Sequence, residues 1–330
     1  MPELPHLSSP LSPLLSIRNL DVQFDLPRKG LFRKPAILKA VRDVSFDVGR
    51  GRTMGIVGES GSGKTTLALA LMRLVPIASG SIMLDGDDFA RLGAKRLRDA
   101  RRRIQMIFQD PQSSLNPRLR VRDIIREPLD ILGLDTMTSR NERVDELLQA
   151  VGLSSEMGAR FPHQFSGGQR QRIGIARAFS TRPEVIVCDE PVSALDVAVQ
   201  AQILNLLSDL QKSYGLTFVF ISHDLGVIHH IADEIAVMYL GRIVEYAGRK
   251  SFFKAPRHPY SKALLAAAPT MERVDIDDHI PTGEPPSPFA IASGCSFAGR
   301  CPSVQPRCRT VAPELRPVGD GHAVSCHFTE

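Results

Sequence analysis

One stretch of this chain decides much of its fold: residues 58–65 read Gly58-Glu59-Ser60-Gly61-Ser62-Gly63-Lys64-Thr65, a complete G-x-x-x-x-G-K-T phosphate loop, or P-loop. Just before it, the run from Thr53 to Val57 predicts a short buried strand. The segment from Lys64 to Leu74 contains no internal Gly or Pro and predicts a helix. A strand, a glycine-rich loop and a helix in this order are the context that a true P-loop requires, so the sequence predicts an α/β core.

The chemistry of this loop points to nucleotide phosphates. Successive backbone N–H groups and the N-terminus of the following helix form a positive cradle for phosphate oxygens. Glycines let the backbone approach the nucleotide, Lys64 is predicted to reach the β- and γ-phosphates, and the Thr65 hydroxyl is predicted to ligate Mg²⁺. We assign the whole loop, together with Thr66, to nucleotide binding. The alternative is a chance match in an unrelated loop.

Two acidic residues follow a second apolar run, Val185 to Cys188, which predicts a buried strand. Asp189 is expected at the C-terminal edge of that strand, where parallel sheets bind nucleotides, and is predicted to hold Mg²⁺ largely through water. Because side chains alternate along a strand, Glu190 points elsewhere and is the candidate general base for the attacking water. The alternative is a pair of surface acids at a strand end.

Two polar residues end other predicted strands. His223 follows Thr217 to Ser222 and is a candidate to hydrogen-bond the γ-phosphate or to orient the water. Gln109 follows Ile104 to Phe108 and is a candidate Mg²⁺ contact that senses the γ-phosphate. A single histidine at a strand end is more often structural, and a single glutamine there is uninformative. The other motifs in register favour the functional interpretation.

A second diagnostic stretch lies about a hundred residues after the P-loop and reads Phe165-Ser166-Gly167-Gly168-Gln169. With the P-loop, Gln109, Asp189-Glu190, Ser193-Ala194-Leu195-Asp196 and His223, it occurs in the order of an ABC-transporter ATPase subunit, which the chain resembles over about residues 15–250. The resemblance implies a head-to-tail dimer that encloses ATP. Ser166 and Gly168, with Gly167 and Gln169 in the same segment, would serve the nucleotide of the opposite subunit, and Asp196 would lie at the dimer interface.

The resemblance also calls for an aromatic residue that stacks on adenine. Phe32 is the candidate, although it lies in the poorly patterned basic loop between Pro27 and Pro35. The alternative is that Phe32 anchors this loop through apolar contacts.

Within this family, the chain resembles the ATPase subunits of the oligopeptide and dipeptide importers. It is most similar to their F-type subunit, which pairs with a related D-type subunit. The segments that carry this likeness are residues 109–117, 188–196, His258-Pro259-Tyr260 and 281–288. The resemblance implies an ATPase that powers peptide import with two permease subunits and, indirectly, a substrate-binding protein. The alternatives are import of nickel or another small solute, and a non-transport ABC ATPase such as a phosphonate-cleavage component. A regulatory module with a dead site is disfavoured by Lys64, Asp189, Glu190 and His223.

Four of the five cysteines lie within the last 36 residues, spaced C-x5-C-x6-C-x17-C. They are Cys295, Cys301, Cys308 and Cys326. A disulfide framework is a poor explanation in a reducing cytosol. Four thiolates suit Zn²⁺ or an iron–sulfur cluster, and the C-x2-4-C pairs typical of structural zinc are absent. Relatives with this tail are associated with a [4Fe–4S] cluster, so we expect one, with Zn²⁺ or unliganded thiols as alternatives.

Composition and patterning bound the remaining organisation. The formal net charge of +5 argues for neither nucleic acid nor membrane by itself, and no run approaches the ~18–20 apolar residues of a membrane-spanning helix. The Pro-rich start carries no Lys or Arg before Leu15, so it is not a signal peptide. We expect a peripheral protein on the cytoplasmic face of the plasma (inner) membrane. The basic stretch Arg91 to Arg103 has no interleaved aromatic residue and predicts a solvated helix face without nucleic-acid binding.

Three domains follow from these patterns. Residues 1–13 are predicted to be a disordered tail, residues 14–250 an ABC ATPase domain, and residues 251–330 a small Cys-rich module. The predicted core is an α/β mixed sheet with an antiparallel β edge, where apolar residues alternate between Leu15 and Val48. A helical subdomain over about residues 110–165 is inserted, with a capping box at Ser139-Arg140-Asn141-Glu142.

Overall fold

Residues 12–25, 37–268, 293–319 and 321–329 are described by the structure, a computed structural model. They form two compact units. The first contains the residues up to 49, residues 53–90 and the residues from 221 onward, and the second contains residues 50–52 and 91–220. Phe32, the predicted tail over residues 1–11 and the diagnostic segment 281–288 lie outside the described ranges.

Regular structure alternates between strands and helices along most of the described chain. The strands are β1 (Leu15–Asp25), β2 (Ile37–Val48), β3 (Thr53–Val57), β4 (Ser79–Leu84), β5 (Asp87–Asp88), β6 (Ile104–Ile107), β7 (Val185–Asp189), β8 (Thr217–Ser222), β9 (Glu234–Tyr239), β10 (Arg242–Gly248), β11 (Arg316–Pro317) and β12 (Ala323–Val324). The helices are α1 (Lys64–Leu71), α2 (Ala94–Ala100), α3 (Pro111–Ser114), α4 (Val121–Leu132), α5 (Met137–Ala150), α6 (Gly167–Phe179), α7 (Val197–Tyr214), α8 (Leu225–Ile231), α9 (Arg249–Lys254), α10 (Pro259–Ala266) and α11 (Pro306–Thr310). Within these ranges, no helix combines the length and the apolar character that a membrane span requires.

The first unit contains an antiparallel sheet in the order β2-β1-β4-β5. The antiparallel strands predicted between Leu15 and Val48 are confirmed, but they form a sheet of their own instead of an edge of the sheet that contains β3. Its apolar alternation skips from Ile17 to Leu20, where the pairing register of β1 and β2 shifts. Asn19 and Asp43 lie at the irregularity with φ of 46° and 53°, a conformation that Asn and Asp tolerate better than other non-glycine residues. The side-chain amide of Asn19 donates to Asp43 at 2.8 Å. The irregularity therefore keeps Leu20 on the buried face.

The same unit contains the strand that leads into the P-loop. β3 is buried along its whole length and runs parallel to β9, as the sequence predicts for a strand covered on both faces. β9 pairs with β10 as an antiparallel hairpin, and the short strand β12 pairs with β10. The helix after the P-loop ends at Leu71, earlier than predicted, because Arg73 adopts a left-handed conformation with φ of 49°.

The second unit contains the parallel pair β6 and β7 and the predicted helical insertion, α3 to α5. The predicted capping box at Ser139 to Glu142 is wrong. Helix α5 begins at Met137, and the Thr136 hydroxyl accepts the Ser139 N–H at 3.3 Å. Two threonine or serine residues close together make this N-cap ambiguous in sequence, since either hydroxyl is a suitable cap. α7 ends at Tyr214 and is followed by Gly215, whose φ of 65° is the left-handed conformation that terminates many helices.

Candidate functional site

The P-loop passes so close to neighbouring backbone that no side chain would fit at Gly58 or Gly63. A Cβ at Gly63, where φ is 101°, would lie 2.3 Å from the Ala40 carbonyl oxygen. A Cβ at Gly58 would lie 2.2 Å from the carbonyl oxygen of Met238 at the end of β9. The turn between β9 and β10 also donates its Gly241 N–H to the Ser62 carbonyl at 2.8 Å. Packing against the backbone, as well as approach to a ligand, therefore requires these glycines.

Lys64 lies inside the curve of the loop. Its ammonium donates to the carbonyl oxygens of Gly58 and Glu59 at 2.7 and 2.9 Å, and the residue is only 5% exposed. The buried Ser62 hydroxyl has no hydrogen-bond partner among the described residues. An ammonium group aimed into the loop and an unsatisfied hydroxyl beside it fit a polar anionic ligand at this position.

The outer end of the loop contacts the C-terminal tail, by which we mean residues 251–330. The Glu59 N–H donates to the Tyr260 hydroxyl at 2.8 Å. Both terminal nitrogens of the Arg300 guanidinium donate hydrogen bonds to the Glu59 carboxylate, at 2.8 and 3.0 Å. This hydrogen bonding, with smaller contributions from charge, raises the pKa of Arg300. Sequence reasoning treated Tyr260 only as a subfamily marker and did not select Arg300, because nothing local links either residue to the P-loop.

In the second unit, β7 ends at Asp189, which is buried, and Glu190 follows it. Glu190 has φ of 46°, which is uncommon for a residue with a Cβ and is most often retained at functional positions. Its carboxylate accepts a hydrogen bond from the Gln109 side-chain amide at 3.1 Å, and its carbonyl accepts from the Ser193 N–H and hydroxyl at 3.3 and 3.1 Å. The structure thus brings Gln109 to Glu190, a contact that the sequence did not predict.

The segment Ser166 to Gln169 forms the start of helix α6. The Ser166 hydroxyl accepts the Gln169 N–H at 3.3 Å, and the Gln169 side chain accepts the Ser166 N–H at 3.1 Å, which is a complete capping box. Ser166 and Gly167 are exposed at this helix N-terminus, where backbone N–H groups favour an anion. A Cβ at Gly168 would lie 2.6 Å from Cγ1 of Val199, so packing within this chain already requires the glycine.

Asp196 and His223 each lie beside a helix start. The Asp196 carboxylate accepts the Val199 N–H at 3.0 Å and is the N-cap of α7. His223 is exposed at the end of β8, and the next residue, Asp224, caps α8 by accepting the Gly226 N–H at 2.7 Å. Two predicted functional positions are therefore fixed by ordinary helix capping.

The four tail cysteines line a single cavity of about 420 Å³. Burial, with smaller contributions from the other three thiols, raises the pKa of Cys295 to about 11. The backbone N–H of Cys295 donates to the Cys308 carbonyl at 2.7 Å. In the described ranges, no group of three or more His, Cys, Asp and Glu side chains is arranged to hold a metal ion. The fifth cysteine, Cys188, is fully buried in β7.

Besides the pairing of β12 with β10, the C-terminal tail is held to β10 by a buried carboxylate, Glu245. It is completely inaccessible to solvent and accepts three hydrogen bonds: from the backbone N–H groups of Arg257 and His258, each at 2.7 Å, and from the His322 imidazole at 2.6 Å. His258 in turn caps α10, because its ring accepts the Tyr260 N–H at 3.0 Å. Burial lowers the pKa of His258 to about 4, which keeps the ring neutral and able to accept that bond.

Comparison with known proteins agrees with this geometry. The sequence family described as "ABC transporter" matches residues 41–193, and the family described as "Oligopeptide/dipeptide transporter, C-terminal region" matches residues 244–308. A probable peptide ABC transporter ATP-binding protein, y4tS of Sinorhizobium fredii, is 50% identical over 95% of this chain and 89% of its own length. The oligopeptide transport ATP-binding protein AppF of Bacillus subtilis is 47% identical over 96% of this chain and 97% of its own length.

Solved structures show the same core. The ATP-binding cassette MJ0796, in a dimeric post-hydrolysis state with ADP and phosphate, superimposes with a TM-score of 0.63 at 27% identity, over 71% of this chain and 98% of its own. CbiO1 of Clostridium perfringens gives a TM-score of 0.63 at 25% identity, over 73% of this chain and 91% of its own. From the P-loop, the Ser166 capping box and these matches together, the chain belongs to the family of ABC transporter ATP-binding proteins, in the branch that carries the oligopeptide/dipeptide transporter C-terminal region.

Proposed function

We infer that this protein binds and hydrolyses ATP to power the import of di- and oligopeptides through a membrane ABC transporter. One observation carries this inference: the chain joins an ABC transporter match over residues 41–193 to the oligopeptide/dipeptide transporter region over residues 244–308. Relatives named as peptide and oligopeptide transport ATP-binding proteins align with 95–96% of it. The domain limits that we propose are 1–13, 14–250 and 251–330, with the helical insertion over about 110–165.

The P-loop, Gly58 to Thr66, is proposed to bind the ATP phosphates. Lys64 already points its ammonium at the loop carbonyls, so the γ-phosphate would replace these neutral acceptors with a charged one. The exposed Thr65 hydroxyl supplies an oxygen ligand of the kind that Mg²⁺ prefers. Phe32 remains the proposed adenine-stacking residue.

Hydrolysis requires a base that removes a proton from water as the water oxygen attacks the γ-phosphorus, while the bond from this phosphorus to the β,γ-bridging oxygen breaks and ADP leaves. Glu190 is proposed for this role, and Gln109, which donates to its carboxylate, orients it. Asp189, at the end of β7, is proposed as the Mg²⁺ carboxylate, with Gln109 as a further Mg²⁺ contact. His223 is proposed to stabilise the γ-phosphate at the end of β8.

The exposed start of α6 is proposed to serve ATP bound by another subunit. Ser166, Gly167, Gly168 and Gln169 form the N-terminus of this helix, where the helix dipole favours an anion, and Asp196 caps the neighbouring helix. The similar cassette MJ0796 is dimeric in its solved structure. We propose that the partner is a related D-type subunit. ATP hydrolysis by the pair would drive two permease subunits, to which a binding protein delivers the solute. The complex would place this chain on the cytoplasmic face of the plasma membrane.

The C-terminal tail is proposed to hold a [4Fe–4S] cluster on Cys295, Cys301, Cys308 and Cys326. The fit rests on the donor set: four thiols line one cavity. Bound there, the cluster would cross-link the segments of the tail that carry the cysteines. Zn²⁺ is the alternative ligand for the same thiols.

The decisive experiment is reconstitution of this chain with its D-type subunit and permease pair in vesicles. We expect ATPase activity that is stimulated by peptides and their binding protein. Glu190→Gln should abolish steady-state hydrolysis while ATP binding persists, and Glu156→Gln, an exposed acid in the same unit, should behave as wild type. Stimulation by nickel but not by peptides would overturn the assigned substrate. Hydrolysis at the wild-type rate in Glu190→Gln would overturn the base.

A further inference from the structure

The second residue of the P-loop, Glu59, makes contacts that nucleotide binding alone does not explain. Its N–H donates to Tyr260 at 2.8 Å, its carboxylate accepts two bonds from Arg300 at 2.8 and 3.0 Å, and its carbonyl accepts from Lys64 at 2.9 Å. The backbone N–H, the backbone carbonyl and the side chain of Glu59 therefore all have hydrogen-bond partners. Two of these partners come from the C-terminal tail, 201 and 241 residues further along the chain.

Both tail residues are also held in place by packing contacts other than those with Glu59. Tyr260 is fully buried, and its ring packs against Tyr239 and Phe297 with centroids 4.6 and 5.5 Å apart. The Arg300 guanidinium lies 5.9 Å from the centre of the Phe297 ring, and its side chain is only 10% exposed. A bidentate arginine fixed by an aromatic face loses little entropy when it binds a carboxylate, so the contact is geometrically specific.

The position of Glu59 matters because of Lys64. The Lys64 ammonium donates hydrogen bonds to the carbonyl oxygens of Gly58 and Glu59. When ATP binds, Lys64 must share its donors with phosphate oxygens, and the loop loses part of its internal support. Tyr260 and Arg300 do not depend on Lys64. Tyr260 and Arg300 would therefore hold the P-loop backbone in its binding conformation while ATP binds. The free energy of ATP binding would then be reduced less by the cost of ordering the loop.

We propose that Tyr260 and Arg300 are positioning residues for ATP, and that the C-terminal tail is thereby a working part of the nucleotide site. The proposal rests on the proposed function, since it assumes that Gly58 to Thr65 binds ATP. It differs from a merely structural role of the tail. A structural contact stabilises the fold and leaves nucleotide affinity unchanged, whereas a positioning contact changes the affinity for ATP more than the rate of hydrolysis.

The test measures equilibrium binding of a fluorescent ATP analogue, and KM against kcat, in the assembled transporter. Arg300→Met should raise the dissociation constant roughly tenfold, the usual effect of losing charge-assisted hydrogen bonds, with kcat little changed. Arg300→Lys should recover only part of the affinity, because an ammonium lacks the fork. Tyr260→Phe keeps the buried ring and removes only the acceptor, and should raise the constant a few-fold. Arg309→Met, an exposed tail arginine, is the matched control and should bind as wild type.

A double-mutant cycle decides whether Arg300 acts through Glu59. In the Glu59→Gln background, Arg300→Met should cause little further loss, because the pair is already broken. Thermal unfolding of each variant checks that the tail still folds. Additive losses, or unchanged ATP binding in both Arg300→Met and Tyr260→Phe, would overturn the proposal. Failure of the wild-type protein to bind ATP would instead overturn the proposed function.

Discussion

Replacing Glu245 by alanine should weaken the attachment of the C-terminal tail to β10. Glu245 is fully buried and is the shared acceptor for the N–H groups of Arg257 and His258 and for the His322 imidazole, at 2.6–2.7 Å. Each buried donor left without a partner costs about 1–3 kcal/mol, and breaking a buried pair by removing one side costs about 3–5 kcal/mol. Since water entering the gap recovers part of the loss, we expect about 4 kcal/mol.

The effect should be local, because the three donors lie in or beside the tail. Hydrogen exchange at the amides of α10 reports the local opening free energy, and a loss of about 4 kcal/mol corresponds to roughly 1000-fold faster exchange. The amides of α6, in the other unit, serve as an internal reference. Glu314→Ala removes an exposed carboxylate from the same tail and is the matched control. Exchange in α10 that stays within threefold of wild type would refute the reasoning.

Three further predictions follow from packing and burial. Gly168→Ala should lower the free energy of unfolding by about 1–3 kcal/mol, because its Cβ would lie 2.6 Å from the stiff Val199 side chain. Gly167→Ala, whose Cβ would lie an ordinary 3.6 Å from a leucine methyl, is the control in denaturant titrations, and equal losses in the two variants would contradict the packing argument. Burial raises the pKa of Cys188, so N-ethylmaleimide should modify this thiol only after denaturation, and mass spectrometry showing modification of the native protein would count against it. Cys301→Ser should lower the iron content of anaerobically purified protein, and colourless, iron-free wild-type protein would exclude the cluster.

The strands around the nucleotide motifs were predictable because each depends on contiguous residues. The limits of β3 and β8 agree with the sequence prediction, since short apolar runs rich in β-branched and aromatic residues favour buried strands over helices. Helix limits were less certain. Helix α1 ends at Leu71 instead of Leu74, before the left-handed Arg73. Helix α5 is capped by Thr136 instead of Ser139, because several hydroxyl residues compete for one cap.

The candidate site was predicted as a set of residues and not as a set of contacts. Family resemblance identified Gln109, Glu190 and the segment Ser166 to Gln169, each from a motif of a few neighbouring residues. The hydrogen bond from Gln109 to Glu190 spans 81 residues, and the packing of Gly168 on Val199 joins two separate helices. No local pattern encodes either contact, since both depend on how strands and helices pack.

The sequence by itself therefore determined the class of protein. The P-loop, the segment Phe165 to Gln169 and the acidic pair at Asp189 follow from backbone chemistry that needs particular residues at fixed spacing, and they identify an ABC transporter ATP-binding protein. Only the tertiary structure decided how the C-terminal tail relates to that chemistry. Glu59 meets Tyr260 and Arg300 across more than 200 residues, because burial of one aromatic cluster places the tail against the P-loop. Long-range burial is the property that a linear motif does not contain.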